Sequence, residues 1–99
     1  MTENMGKHLF GRVVYNARVY DLLEPASISG RQFNGGWMDA EDGGAYTIEY
    51  SCAATDNAGD EVIVYWQFPE IKGSEPEDQS DYPWEDDSHI VMVRYMDRR

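Results

Sequence analysis

The central stretch of the chain reads YTIEYSCAATDNAGDEVIVYWQF, residues 46–68, and it predicts a β-hairpin. Its first half alternates apolar Tyr46, Ile48, Tyr50 and Cys52 with polar residues, the period of two that gives a strand one apolar face. Residues 55–60 are turn-forming types. Residues 61–68 are β-branched and aromatic on nearly both faces, which favours a central strand. Pro69 is expected to end that strand.

Further strands are expected on both sides of this hairpin. Residues 89–96 form a β-branched, apolar run. Residues 32–38 place an Asn-Gly pair between aromatic residues, a signal for a type I′ hairpin, and Gly43-Gly44 would then turn the chain into the central hairpin. Residues 9–23 fit both a strand and a helical stripe, and their valines and tyrosines favour the strand.

These elements predict a mainly β (or α+β) fold, an antiparallel sheet of about five strands with room for one short helix. The 99 residues suffice for one domain with one modest core, so residues 1–99 are interpreted as a single domain. Before the last strand, residues 70–88 read EIKGSEPEDQSDYPWEDDS, an acidic loop that contains proline. Loops of this length in a compact domain are usually functional or disordered.

Negative charge is concentrated in the middle of the chain. The formal net charge is −11, from 19 acidic and 8 basic residues. Residues 39–87 hold fifteen of the acidic residues and one lysine, whereas the rest of the chain is slightly basic. Such a surface repels nucleic-acid phosphates and anionic membranes, and it attracts a basic protein surface or a cation. Solubility alone would not require this segregation.

The expected compartment is the cytoplasm, with the protein in soluble form. Cys52 is the single cysteine, so no intramolecular disulfide can form, as suits a reducing compartment. The N-terminal residues lack the apolar core of a signal peptide. No apolar run approaches the roughly 20 residues needed to span a bilayer.

The acidic residues fall largely in predicted turns, and these turns are the candidate partner-binding surface. In an antiparallel meander alternate turns share one end of the sheet, so the first and third acidic turns are expected together, with the second at the opposite end. Tyr82 and Trp84 are candidate anchors, although Trp84 could equally pin the loop onto the core. The candidate partner-binding residues are Asp39, Glu41, Asp42, Glu75, Glu77, Asp78, Asp81, Tyr82, Trp84, Glu85, Asp86 and Asp87.

Catalytic and metal-binding patterns are weak. Cys52 with His8 or His89 is the single thiol option for nucleophilic catalysis, and Cys52 falls on the apolar face of a predicted strand, where cysteine behaves as a small hydrophobe. A calcium loop starting at Asp39 fails at its fifth position, Gly43, and at its twelfth, Tyr50. No catalytic residue, metal site or cofactor is therefore predicted, although the loop acids could collect a divalent cation weakly.

In size, charge and lack of catalytic motifs, the chain resembles small phage-encoded inhibitors of bacterial defence, including DNA mimics and anti-CRISPR proteins. The likeness covers composition and carries no residue roles. It implies a non-enzymatic, acidic binding protein that blocks a basic, nucleic-acid-handling partner without binding nucleic acid itself. One alternative is an accessory or self-associating domain whose acidity serves solubility. Another is a small divalent-metal-dependent hydrolase.

Overall fold

The computed structural model describes residues 11–31, 34–77, 82–84 and 86–96 and contains one antiparallel sheet. Its strands are β1 (Arg12–Tyr15), β2 (Arg18–Leu22), β3 (Ser27–Ile28), β4 (Ala45–Asp56), β5 (Glu61–Ile71) and β6 (Ile90–Tyr95). Two short 3-10 helices cover Trp37–Asp39 and Asp87–His89. The predicted mainly β, antiparallel fold is confirmed. Over the described ranges, no helix has the length and apolar character needed to cross a membrane.

The sheet is organised around the predicted hairpin of β4 and β5. Its strand order is β1-β2-β4-β5-β6, and β3 pairs with the same edge of β4 as β2 does. The turn closes through the Asp56 carboxylate, which accepts the backbone N–H groups of Ala58 and Asp60 at 3.0 and 2.9 Å. This use of an aspartate to satisfy turn N–H groups explains why the turn-forming cluster folds back there.

The expectation that Pro69 ends β5 is wrong, because β5 continues to Ile71. Lys72 N–H donates to Gly44 O at 2.9 Å, so even-numbered residues of β5 direct their N–H groups to β4. The nitrogen of Pro69 consequently faces the other side of the strand. There the described pairing with β6 runs only from Val62 to Trp66, so the missing N–H interrupts no ladder bond.

The segment predicted as one strand or helix over residues 9–23 is instead a hairpin across its described part, residues 11–23. β1 and β2 pair antiparallel, with Tyr15 opposite Arg18. Asn16 and Ala17 form the two-residue loop with φ of 54° and 64°. Positive φ at both loop residues is the type I′ geometry that matches the twist of paired strands. The prediction missed this turn because Ala17 occupies a position where glycine is usual.

The predicted hairpin over residues 32–38 is not formed by its described residues, which adopt a turn followed by a 3-10 helix. Gly35 N–H donates to the Asp39 carboxylate at 2.8 Å, and Gly35 O accepts Thr47 N–H at 2.9 Å. These bonds close a compact loop against β4, so no second strand follows the Asn-Gly pair. Gln32 and Phe33 lie outside the described residues. The turn at Gly43 and the last strand, β6, agree with prediction.

One face of the sheet carries the core. Its most buried side chains come from even-numbered positions of β4 and β5, where Trp66 and Val64 have 0% exposure. The connection between β5 and β6 supplies Tyr82 and Trp84 to the same cluster. Phe68 stacks on Tyr82 with ring centroids 4.4 Å apart. The buried cluster comprises Val13, Tyr20, Leu22, Tyr50, Cys52, Ala54, Val62, Val64, Trp66, Phe68, Tyr82 and Ile90.

Candidate functional site

The first acidic turn and the connection after β5 meet at one end of the long hairpin, as predicted. Gly43 N–H donates to Lys72 O at 2.9 Å, and Tyr46 OH donates to the Glu75 carboxylate at 2.6 Å. The turn between β4 and β5 lies at the opposite end. We call the first location the acidic end and define it by its carboxylate residues: Asp39, Glu41, Asp42, Glu70 and Glu75.

Lys72 is the one basic residue within residues 39–87, and its side chain links two segments of the acidic end. Its Nζ donates to Ala40 O at 2.9 Å and lies 3.9 Å from the centre of the Trp37 ring. A cation over an indole face is a favourable electrostatic contact. The ammonium group therefore holds the 3-10 helix at Trp37–Asp39 against the end of β5.

The carboxylates of the acidic end differ in their surroundings. Asp39, Glu41 and Asp42 are exposed, whereas Glu70 and Glu75 are partly covered. The pKa of Glu75 lies below its ordinary value, mainly because its carboxylate accepts the Tyr46 hydroxyl. The same contact, together with burial, raises the pKa of Tyr46. Glu75 thus stays anionic while it anchors the start of the connection.

An ion pair with a buried carboxylate lies beside the acidic end, on the sheet face opposite the core. Arg31 donates two hydrogen bonds to the Glu49 carboxylate, from Nε at 2.8 Å and from Nη2 at 2.6 Å. Ser29 Oγ and Gln67 Nε2 donate to the same carboxylate at 2.6 and 2.7 Å. The Glu49 side chain is 1% exposed and that of Arg31 43%. Arg31 also lies 4.6 Å from the centre of the Tyr65 ring.

These contacts keep Glu49 ionised inside the protein. Burial by itself would raise its pKa, but the bonds from Arg31, Ser29 and Gln67 outweigh burial and lower the pKa to about 2. The Glu49 bonds raise the pKa of Arg31 in turn. A buried carboxylate with every lone pair engaged is a structural element, and it fixes the segment around β3 against β4.

A groove of about 890 Å³ opens between β3, the start of β4 and the 3-10 helix at Trp37–Asp39. Its apolar side chains include three strongly exposed ones: Ile28, Trp37 and Met38 are 61%, 52% and 85% exposed. Two carboxylates of the acidic end also line it. The lining comprises Ile28, Ser29, Gly30, Arg31, Asn34, Gly36, Trp37, Met38, Asp39, Tyr46, Thr47, Ile48, Glu49 and Glu75.

The two predicted aromatic anchors face into the domain. Tyr82 is 9% exposed, and burial followed by its hydrogen bond to Glu70 raises its pKa. Trp84 packs edge-on against Trp66 with centroids 5.1 Å apart, and the Trp66 indole N–H donates to Trp84 O at 3.0 Å. Trp84 therefore pins the connection to the core, the alternative that the sequence had left open.

The remaining predicted loop residues are divided by the structure. Glu77 and Asp87 are exposed. Asp86 accepts the Ser88 N–H at 3.0 Å and caps the 3-10 helix at Asp87–His89, and this bond lowers the pKa of Asp86. Asp78, Asp81 and Glu85 lie outside the described residues.

At the opposite end of the hairpin, Asp56 has a structural role. Arg18 Nη1 donates to Tyr95 OH at 3.3 Å, and Tyr95 OH donates to the Asp56 carboxylate at 2.9 Å. The pKa of Asp56 is lowered first by its bond to the Asp60 N–H and further by Tyr95. Asp56 thus ties the turn to β2 and β6, unlike the exposed acids of the acidic end.

Among the described residues the thiol and metal options gain no site geometry, and His8 lies outside those residues. Cys52 is 1% exposed, which confirms that it lies on the apolar face, and burial raises its pKa to about 11. Its Sγ–H donates to Glu24 O at 2.8 Å. Across the described ranges, no three His, Cys, Asp or Glu side chains come together as metal ligands.

The groove and the pair formed by Arg31 and Glu49 were not predicted from the sequence. Glu49 belonged to the face predicted to be polar, so its burial gave no simple signal. One available hint was a carboxylate in the middle of a strand that lies beside a central strand, because such a group needs a partner. Trp37 and Met38 carried a second hint, since glycines and acids surround these two large apolar residues.

Comparison with known proteins gives no relative from which roles could be carried over. No protein family, curated protein or solved structure that we compared matches this chain. The chain's own residues are therefore the basis for the functional argument.

Proposed function

We propose that this protein is a non-catalytic, acidic binding protein that occupies a basic surface of a nucleic-acid-handling protein and blocks it. The observation that carries the proposal is the acidic end, where the first acidic turn and the start of the connection after β5 meet and bring five carboxylate residues to one end of the hairpin. Asp39, Glu41 and Asp42 are exposed there. Exposed carboxylates on a fixed turn meet a basic surface without first having to be ordered, which lowers the entropy cost of binding.

A nucleic-acid-handling partner is proposed because its arginine and lysine side chains can bind carboxylates as well as phosphates. Proteins that grip nucleic acid arrange these side chains to meet closely spaced phosphates, about one charge per 1.7 Å of duplex axis. Guanidinium groups bind carboxylates through the same forked bonds that they make to phosphates. A dense set of carboxylates can therefore compete for such a surface, and the partner would lose its nucleic acid while this protein is bound.

The test compares two double variants that remove the same charge from opposite ends of one hairpin. Glu41→Gln with Asp42→Asn alters the acidic end, and Asp60→Asn with Glu61→Gln alters the other end. A basic partner captured from the source cell is then titrated with each variant by calorimetry. We expect the first variant to bind about 10-fold or more weakly and the second to bind within about 2-fold of the parent, because contacting charges contribute about 1 kcal/mol or more each.

Two accompanying measurements complete the test. Parent affinity should fall steeply as salt is raised, because screening weakens exposed charge pairs. The parent should also displace a labelled oligonucleotide from the partner. Equal losses in both double variants would mean that only net charge matters, and undiminished oligonucleotide binding would refute the blocking role.

The loop carboxylates remain part of the prediction and need a separate variant. Asp81, Glu85, Asp86 and Asp87 are changed together to Asn or Gln, and we expect the partner affinity to fall while the fold is retained. An unchanged affinity would mean that this loop is not part of the binding surface and that the binding surface is confined to the acidic end.

A further inference from the structure

The groove beside the acidic end exposes several large apolar side chains. Ile28, Trp37 and Met38 come from β3 and from the 3-10 helix, and all three are more than half exposed at one depression. Grouped, exposed apolar side chains on a small protein mark interaction sites. A volume of about 890 Å³ falls within the range of about 300–1,000 Å³ that is typical of ligand pockets.

The charges of this groove select a cationic occupant. Asp39 and Glu75 line it, and their hydrogen bonds come from neutral donors: Gly35 N–H for Asp39, and Tyr46 OH and Gly73 N–H for Glu75. The pKa of Glu75 is lowered mainly by the Tyr46 bond, and the positive charge of Lys72 also contributes. The other ionic lining residues, Arg31 and Glu49, bond to each other and cancel. The groove therefore combines an apolar surface with a lining that stays net negative even when the nearby ammonium group of Lys72 is counted.

Lys72 shows how this surface receives a cation. Its ammonium group lies over the Trp37 ring and bonds to the carbonyl oxygens of Trp37 and Ala40. A partner's arginine suits the remaining exposed part of the groove better than a second lysine would, because guanidinium is planar, stacks on aromatic and amide surfaces and bonds carboxylates in a fork. Its methylene groups would cover Ile28 and Met38.

We propose that the groove binds an arginine side chain within a basic segment of the partner protein, with the guanidinium group at Asp39 and Glu75 and the alkyl stem on Ile28, Met38 and the exposed part of Trp37. This inference rests on the proposed function, because it names the part of the surface that reads the partner. The acidic end supplies general attraction, and the groove supplies preference for arginine over other cations.

The probe is a capped tetra-arginine peptide, with the tetra-lysine peptide of equal charge beside it, titrated into the full-length ¹⁵N-labelled protein. We expect saturable shifts at the Trp37 indole N–H and at the backbone of Ile28 and Met38. Tetra-arginine should bind about 5-fold or more tightly than tetra-lysine. Shifts confined to Glu41 and Asp42, or equal affinities for the two peptides, would overturn the inference.

Matched variants separate the groove from general charge. Asp39→Asn with Glu75→Gln removes two carboxylates inside the groove, whereas Glu41→Gln with Asp42→Asn removes two outside it. The amide of Asp39→Asn keeps an oxygen acceptor for Gly35 N–H, and the single amide oxygen of Glu75→Gln can accept from Tyr46 OH, so the bond from Gly73 N–H is the one lost. We expect the groove pair to weaken tetra-arginine binding about 10-fold and the outer pair about 2-fold. Similar losses would overturn the inference.

A second comparison removes apolar surface without changing charge. Trp37→Ala should weaken tetra-arginine binding about 10-fold, whereas Val91→Ala, at an exposed apolar position of β6, should leave it unchanged. A native-like dispersion of the amide spectrum confirms that each variant is folded. Retained affinity in a folded Trp37→Ala protein would overturn the inference.

The same variants distinguish failure of the groove from failure of the proposed function. If the captured partner loses affinity with Glu41→Gln and Asp42→Asn but not with Trp37→Ala, the groove inference fails and the proposed function stands. If tetra-arginine binds the groove as expected while no variant alters affinity for the captured partner, the proposed function fails and the groove remains an arginine site.

Discussion

Replacing Glu49 by glutamine should lower the free energy of unfolding near neutral pH and remove the part of its pH dependence that comes from Glu49. In the folded protein the pKa of Glu49 lies at about 2 instead of the usual 4.5, and each unit corresponds to about 1.4 kcal/mol. The ionised form is therefore favoured in the folded state by about 3 kcal/mol. Because the folded pKa is depressed, this stabilisation is complete above about pH 4.5 and disappears as the pH falls through about 2.

The variant isolates this contribution because glutamine has nearly the shape of a protonated glutamic acid. Near neutral pH, Glu49→Gln should lower the free energy of unfolding by about 3 kcal/mol, as expected when one partner of a buried ion pair is removed. Of that difference, about 2 kcal/mol should be gone by about pH 3, and nearly all of it by about pH 2. Other titrating groups affect both proteins equally and cancel.

Urea unfolding followed by tryptophan fluorescence measures the difference at a series of pH values. The control is Glu61→Gln, which removes an exposed carboxylate at the start of β5 and should stay within about 0.5 kcal/mol of the parent throughout. Parallel stability curves for the parent and Glu49→Gln would refute the reasoning, because they would mean that the hydrogen bonds from Arg31, Ser29 and Gln67 do not depress the pKa of Glu49.

Two further predictions concern the first hairpin and the acidic end. Ala17→Gly should raise the free energy of unfolding by about 1 kcal/mol, because Ala17 has a φ of 64° that glycine adopts without steric cost. The control, Ala45→Gly in an ordinary strand position, should lower the free energy of unfolding by about 0.5–1 kcal/mol in the same urea assay. A change of the same sign in both variants would contradict the prediction. Tyr46→Phe should raise the pKa of Glu75 towards its ordinary value, because the hydrogen bond from the Tyr46 hydroxyl is the main cause of the lowered pKa. Carboxyl chemical shifts followed against pH measure the pKa of Glu75. An unchanged titration of Glu75 would contradict the prediction.

The parts of the fold that sequence predicts are those in which local pattern and tertiary packing agree. The hairpin of β4 and β5 has alternation, β-branched residues and a turn cluster, and all three favour the same structure. The turn at Asn16 and Ala17 lacks such agreement, because alanine is a poor residue for positive φ. The Asn-Gly pair at Asn34 had the right local signal, but Gly35 donates its N–H to Asp39 and accepts the N–H of Thr47, and these two bonds favour a compact loop.

The location of the acidic residues of the candidate site was predictable from the sequence, but the groove and the contacts around it were not. The meeting of the first and third acidic turns follows from antiparallel topology, so Asp39 and Glu75 could be placed at one end from sequence. The groove could not be predicted, because it depends on β3 and Trp37 being held by long-range contacts. Arg31 and Glu49 are 18 residues apart, and nothing local in the sequence indicates that they pair.

Pro69 also determines what β5 can offer to other polypeptides. Its ring nitrogen lies on the side of β5 that extends past the described pairing with β6, so an incoming strand would find a missing donor in the middle of that row of backbone groups. Strand edges blocked in this way resist edge-to-edge aggregation and β-augmentation. Partners of this domain are therefore expected to recognise its side chains instead of extending its sheet at this edge.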